Sequence, residues 1–539
     1  MDRRDYITVS ATVATGLATR WMTMRKTGLY LLLSVLAISC GEKQPVTGLL
    51  SWQEGWGDQG NGTFINPVLN ADFSDPDAIR VGDTYYMVAS DFHFMGMQIL
   101  QSRDLVNWEY LTQLYSRLDY PGWESNEHYS GGSWAPSIRY HDGLFYVYFC
   151  TPDEGLFMTS APAPEGPWAP LHCVKEVWHW EDPCPFWDED GQAYLGHSVW
   201  GAGPIIIHTM SPDGKQLLDE GEVVYRGPVA EGTKIHKMNG YYYLSIPEGG
   251  VGGGVQVMLR STDLYGPYEK RVVLEQGSTA INGPHQGAIV DTPEGEWWFL
   301  HFQDTPVLGR VVHLQPMFWQ DGWPVMGVDI DRNGVGEPVY CWKKPSGPRE
   351  LPSFPVTSDD FSASVLGAQW QFNHNPVPDR WSLTENPGKL TYHTLKAASF
   401  AEARNSLSQK LFGYKGTVTV KLDCRQFTEG CRAGLAVMGS VMPTLGVKME
   451  GGKRLLHIDA DAPWTGPALM GQTVYLRFTY DALAESFQFF YSTDGKSFQA
   501  AGEPFGCFRA NWKGVRPAIF AYHVDGDGGV AVFDDFTVE

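Results

Sequence analysis

The chain has 539 residues, with 62 Asp and Glu against 40 Lys and Arg and a formal charge of −22. That balance offers no basic stripe for phosphates, so it excludes nucleic acid as a partner and favours a neutral or cationic ligand. The length exceeds one ordinary core, and 60 Gly and 35 Pro among many Trp, Tyr and Phe predict short strands and frequent turns, hence two or more mainly β domains.

Residues 24–40, MRKTGLYLLLSVLAISC, have a basic start, an apolar run from Leu29 to Ile38 and the small Ser39 before Cys40. This is the order of a secretory signal peptide, and the run is too short to cross a bilayer as a helix. With Cys at the cleavage point the segment resembles a bacterial lipoprotein signal, in which Cys40 is lipidated and becomes the first residue. Ala37 departs from the Leu usual at that place. The expectation is an exported lipoprotein, periplasmic or displayed at the outer membrane or cell surface, attached through an N-terminal lipid only. Residues 1–40 are then extension and signal, and 41–64 a tether. The other seven cysteines form no CxxC pair or Cys/His cluster suited to zinc. Their odd number argues against a full disulfide framework, which leaves buried thiols or one Cys424–Cys431 hairpin bridge.

Between residues 65 and 345 one phrase recurs five times. It reads DPDAIRVGDTYYMV from Asp75, APSIRYHDGLFYVY from Ala135, DPCPFWDEDGQAYLG from Asp182, EGTKIHKMNGYYYLS from Glu231 and HQGAIVDTPEGEWWFL from His285. Each copy has an opening residue, a few extended residues, a turn rich in Gly, Asp or Asn, and an apolar-aromatic strand. An interval of roughly 50–60 residues is that of propeller blades built from four-stranded sheets. Five blades close around a funnel, and the innermost strands bring equivalent positions of successive copies to one axis. Three of the five opening residues are carboxylates. Glycoside hydrolysis needs one protonated carboxyl for the leaving oxygen and one carboxylate to activate water, and a third acid beside the first raises its pKa.

These motifs resemble glycoside hydrolase family 43. INPVLNADFSDPDAIRVGDTYYMVAS is similar to that family's opening blade, which implies Asp75 as general base. WEDPCPFWDEDGQAYL is similar to the blade of the pKa-modulating aspartate, implying Asp182, and AEGTKIHKMNGYYYL to the general-acid blade, implying Glu231. The family inverts configuration, so Asp75 would activate water and not attack the sugar. The resemblance also implies substrate contacts from Phe92 in SDFHFMG, Trp134 in SWAPS, His285 in GPHQGAIV and Arg310 in LGRVVHLQPMFWQDGWPV. Where many members read WAPD, this chain has Ser137. No cofactor is required, and the family pattern leaves room for a structural calcium ion near the propeller axis.

Residues 346–357 are Pro-rich and read as a linker. From 358 to 539, strands such as GTVTVKLDC and QTVYLRFTYD lie between two DDF phrases, which suits a β-sandwich with neighbouring ends. This half resembles the concanavalin A-like jelly-roll of the family's β-xylosidase and α-L-arabinofuranosidase branch, and the loop around Phe520–Asp525 is expected to reach the active-site rim. The whole predicts an all-β chain, a five-bladed propeller followed by a sandwich. It would act as an inverting exo-glycosidase removing terminal pentoses from plant hemicellulose xylo- or arabino-oligosaccharides, as β-xylosidase, α-L-arabinofuranosidase or both. The alternative is a lipoprotein that binds glycans without cutting them.

Overall fold

The computed structural model describes residues 55–125 and 128–539; Cys40 and most of the tether lie outside the described residues. No α-helix occurs among the described residues. Strands carry the fold, with short 3-10 turns at Pro378–Arg380 and Phe400–Glu402. The architecture is all-β, as expected.

Five four-stranded antiparallel sheets follow one another along the first part of the chain. Their first strands are Ser74–Val81, Trp134–His141, Trp180–Trp187, Lys234–Met238 and His285–Asp291. Neighbouring first strands stand side by side about a common axis, and the fifth returns to the first. Second strands such as Leu144–Thr151 are buried almost end to end, because each sheet packs on both neighbours and water reaches neither face. The segment ahead of the first sheet closes the ring of this propeller. The Val68 N–H donates to Val312 O at 2.8 Å and the Phe73 N–H to Arg310 O at 2.9 Å.

Two seven-stranded sheets form the sandwich. Thr473–Asp481 alternates buried and half-buried residues along its length, the pattern of a strand with one face on a core. Leu476, Phe478, Phe487 and Phe489 are fully buried there, each worth about 1.5–3 kcal/mol relative to exposure. The two DDF phrases meet: Asp359 and Phe536 exchange both backbone hydrogen bonds, at 2.8 and 3.0 Å. All seven described cysteines are free, and Cys424 and Cys431 are buried thiols.

The sandwich grips one propeller loop in particular. Lys410 Nζ lies 2.8 Å from Asp91 Oδ1 with both side chains 1% exposed, and Arg516 Nη2 lies 3.7 Å from the same oxygen. Next to it, the Met95 N–H donates to Phe372 O at 2.9 Å. A loop that carries Phe92 into the funnel is thereby fixed from behind.

Candidate active site

The backbone aligns the five copies differently from their residue types. Asp75, Ala135, Asp182, Gly232 and Gln286 all adopt left-handed φ, between 39° and 64°, at the start of their sheets. In four of the sheets the strand register also slips at this point, as in a β-bulge. Equivalent positions are therefore these five. Glu231 and His285 stand one residue earlier, in line with Ser74, Trp134 and Glu181. The five opening residues, alike in chemical type, therefore fall in two adjacent registers and not in one. The correction brings out Glu181, the counterpart of Glu231, which the sequence reading passed over although it directly precedes Asp182.

Glu181, Asp182 and Glu231 offer carboxyl oxygens within 4.8 Å of one another, a spacing at which they could also share an ion. Asp182 accepts from Ser198 Oγ at 2.5 Å, from the Gly232 N–H at 2.8 Å and from Gln286 Nε2 at 2.8 Å. Burial and then the Glu231 charge nevertheless push its pKa up to about 6. Glu181 is 7% exposed and its Oε1 has no hydrogen-bond partner. Burial, then Asp182, then Glu231 push it up to about 9. Glu231 is the most open of the three, with its side chain 22% exposed, and its Oε1 lies 2.9 Å from His285 Nε2.

Asp75 has different company. Its Oδ2 accepts from Ser74 Oγ at 2.8 Å and Ser90 Oγ at 2.7 Å, and its Oδ1 from Arg310 Nη1 at 2.8 Å. The same Arg310 nitrogen also donates to Ser74 Oγ at 2.7 Å, so cation, hydroxyl and carboxylate form one closed unit. Ser90 Oγ further receives the Ala135 N–H at 2.6 Å, which ties the first sheet to the second. Phe92 and Trp134 meet edge to face, ring centroids 6.4 Å apart. Phe92 has φ 51°, and Gly132 lies against it so closely that a Cβ there would sit 1.4 Å from the Phe92 carbonyl oxygen. Only glycine permits that approach.

Two residues below the left-handed positions, a second layer spans the axis. Asp77 Oδ2 accepts from Arg139 Nη1 at 2.6 Å and from the Ile138 N–H at 2.9 Å. Lys234, fully buried, donates to Ser137 Oγ at 2.7 Å and to Pro136 O at 3.1 Å, and its Nζ lies 4.0 Å from Asp77. Ser137 is thus part of an internal ion network.

The sandwich does reach this region, but through residues 509–514. Phe520 is buried within the strand Arg516–His523, so the expected Phe520–Asp525 loop is not the one that approaches Arg310. Arg509 pairs with Asp304 at 2.6 Å, the Gly514 N–H donates to Asp72 at 3.0 Å, and buried Lys513 donates to Tyr129 O. Trp512 lies between these anchors, its ring 5.8 Å from the Arg310 guanidinium. Its sequence signal was weak, a lone Trp in a turn.

Comparison with known proteins bears on this arrangement. The model of glycosyl hydrolases family 43 matches residues 64–324, and that of the beta xylosidase C-terminal concanavalin A-like domain matches 358–539. A Xylanibacter ruminicola protein bearing a beta-xylosidase name is 56% identical over 86% of this chain and 87% of its own length. A non-reducing end alpha-L-arabinofuranosidase of Bacteroides ovatus is 31% identical over 70% of this chain and 73% of its own. Among solved structures, a xylan beta-1,4-xylosidase from Bacillus halodurans superposes with a TM-score of 0.79 at 25% identity, covering 88% of this chain and 99% of that one.

Proposed function

The chain belongs to glycosyl hydrolases family 43 and is a glycoside hydrolase, and from that premise we propose that it is an inverting exo-glycosidase that releases terminal pentoses from hemicellulose oligosaccharides, with β-xylosides as its main substrates. The observation that carries the reading is the contrast between Asp75, held by a guanidinium and two hydroxyls, and the three clustered acids, which pair with no Lys or Arg among the described residues.

Three carboxyls so close retain a proton well above the ordinary carboxylate range, because ionising each is opposed by the others. Glu231, the one open to the funnel, delivers that proton to the glycosidic oxygen. The bond from that oxygen to the anomeric carbon breaks while a water attacks the opposite face. Asp75 takes the proton of that water, and the product leaves with inverted configuration. Asp182 is the modulator: it stays at hydrogen-bond distance from fixed donors and opposes loss of the Glu231 proton. His285 holds one Glu231 oxygen and leaves the other for the proton. Phe92 and Trp134 give the sugar ring aromatic walls, and Arg310 orients Asp75.

The reading uses no cofactor. In the Asp77 layer the Lys234 ammonium and Arg139 already bring positive charge to the axis, so a calcium ion there would draw its oxygens from Glu181, Asp182 and Glu231. At the other end of the chain, the reading includes lipid attachment at Cys40, which fatty-acid labelling of wild type and of Cys40→Ala would test.

The relatives support both pentoses, one named for xylosides and one for arabinofuranosides. Arg310 and the sandwich incline the reading to xylosides. Purified protein should release xylose from 4-nitrophenyl β-xyloside, whose leaving group carries no anomeric carbon, with α-xylose as the first anomer seen by proton NMR. Initial β-xylose would overturn inversion. Release from arabinofuranosides alone would overturn the main substrate.

A further inference from the structure

Asp75 and Arg310 meet across a seam. Asp75 stands at the head of the first sheet, on Ser74–Val81, and Arg310 on Gly309–Gln320 of the fifth. Their side chains touch, but those two strands belong to different sheets and do not pair as ladder neighbours. The spacing between base and guanidinium is therefore set by whatever joins the two backbones.

Asp72, three residues before Asp75, stands at that junction and is 2% exposed. Its Oδ1 accepts the Arg310 N–H at 3.0 Å, and its Oδ2 accepts the Gly514 N–H at 3.0 Å. One residue on, the Phe73 N–H donates to Arg310 O at 2.9 Å, so the segment leading into Asp75 holds Arg310 by both its N–H and its carbonyl. The approach is close enough to demand glycine on both partners. A Cβ on Gly309 would lie 2.5 Å from Asp72 Oδ1 and 2.6 Å from the Gly514 nitrogen, and one on Gly514 would lie 2.4 Å from Leu308 O. On either side the sandwich is zipped to the same loop. The Arg509 N–H donates to Pro306 O at 2.7 Å, and the Val515 N–H to Val307 O at 2.8 Å. Backbone from the first sheet's entry, the fifth sheet and the sandwich is thereby fixed around one buried carboxylate.

We propose that Asp72 is a positioning residue for water activation: it sets the Arg310 backbone against the segment that carries Asp75, and by holding Gly514 it makes the seating of the sandwich part of that geometry. The inference rests on Asp75 being the base. The residue type follows from the donors. Two N–H groups converging on one side chain need two acceptors; Asn offers one and turns an NH2 toward the other N–H, and Ala offers none. Arg310 Nη1 reaches Asp75 and Ser74 together at 2.8 and 2.7 Å, and misplacing it by ~1 Å costs about a hundredfold in rate.

The test measures kcat and KM on xylobiose and on β-xylosyl fluoride, with the melting temperature beside them. Asp72→Ala should lose about a hundredfold in kcat on both substrates, since water must be activated whatever leaves, with KM within about threefold of wild type. Asp72→Asn, which keeps one acceptor, should fall between Asp72→Ala and wild type. Gly514→Ala leaves the carboxylate in place and pushes the arm off Leu308 O. It should lose about tenfold in kcat in the same pattern, and it carries the test if Asp72→Ala does not fold. A clasp that merely joined the two domains would lower the melting temperature and leave the kcat of the folded protein alone. That outcome, or a loss seen only in KM or only on xylobiose, would overturn the assignment of Asp72. Asp75→Asn retaining its rate on the fluoride would instead remove the base itself, and the premise with it.

Discussion

The funnel holds acids in two layers, and their company differs. In the lower layer Asp77 is met by Arg139 at 2.6 Å and by Lys234 at 4.0 Å, with Asp77 and Lys234 buried and Arg139 half-buried. In the upper layer Glu181, Asp182 and Glu231 converge with no Lys or Arg paired to them among the described residues, and burial with mutual repulsion raises the pKa values of Glu181 and Asp182. Acids are therefore matched for stability below, at Asp77 of the first sheet, and left unmatched above, where the third and fourth sheets meet. Buried acids that are paired hold a fold together; buried acids that repel each other keep a proton to give away. Asp75 is the exception in the upper layer, because Arg310 reaches it from the fifth sheet, and that exception is what separates the proposed base from the proposed acid.

Removing the base should break the contrast most severely. Asp75→Asn is expected to lose about ten-thousand-fold in kcat/KM on activated and unactivated xylosides alike, since water activation is needed whatever the leaving group. The protein should remain folded by circular dichroism. In the lower layer the same kind of change should cost stability instead. Asp77→Ala strands the buried Lys234 and the half-buried Arg139, and its denaturant midpoint should report a loss of about 3–5 kcal/mol.

Smaller effects sharpen the comparison. Trp512→Ala removes the ring beside Arg310 and should raise KM for xylobiose about three- to tenfold with little change in kcat, by loss of a cation–π contact and of the rim. An unchanged KM would make residues 509–514 a purely structural clasp. The smallest effect is one of pH. The Glu181 pKa rises from 4.5 to about 9 on folding, so between those values the folded chain holds a proton that the unfolded chain has released. Stability due to this group is full below pH 4.5 and falls as pH rises through that window. Glu181→Gln should therefore flatten the fall in melting temperature between pH 5 and pH 8, and parallel curves would remove Glu181 from the cluster.

Much of this was legible in the chain. Strand alternation and Gly- or Asp-rich turns recurring at blade spacing read as a propeller, because each sheet is a local unit whose hydrophobic pattern repeats. Asp75, Asp182 and Glu231 stood out as acids at the head of a copy. What the sequence hid was register. A left-handed residue beside a bulge is set by backbone pairing, so Gly232 and Gln286 hold the position of Asp75 with no chemical likeness to it. Glu181 was masked for the same reason. Lys234 and Ser137 were hidden because a hydrogen bond between residues 97 apart has no local pattern. The arm at residues 509–514 was misplaced because what it touches is decided by how the two domains dock.

The division of labour among the acids is tested most directly by Glu231→Gln, assayed on xylobiose and on β-xylosyl fluoride. Fluoride departs without a proton, so a general acid matters only for the first substrate. The variant should lose about a thousandfold in kcat on xylobiose and keep its rate on the fluoride within about tenfold. Equal loss on both would contradict the assignment of Glu231 as the proton donor.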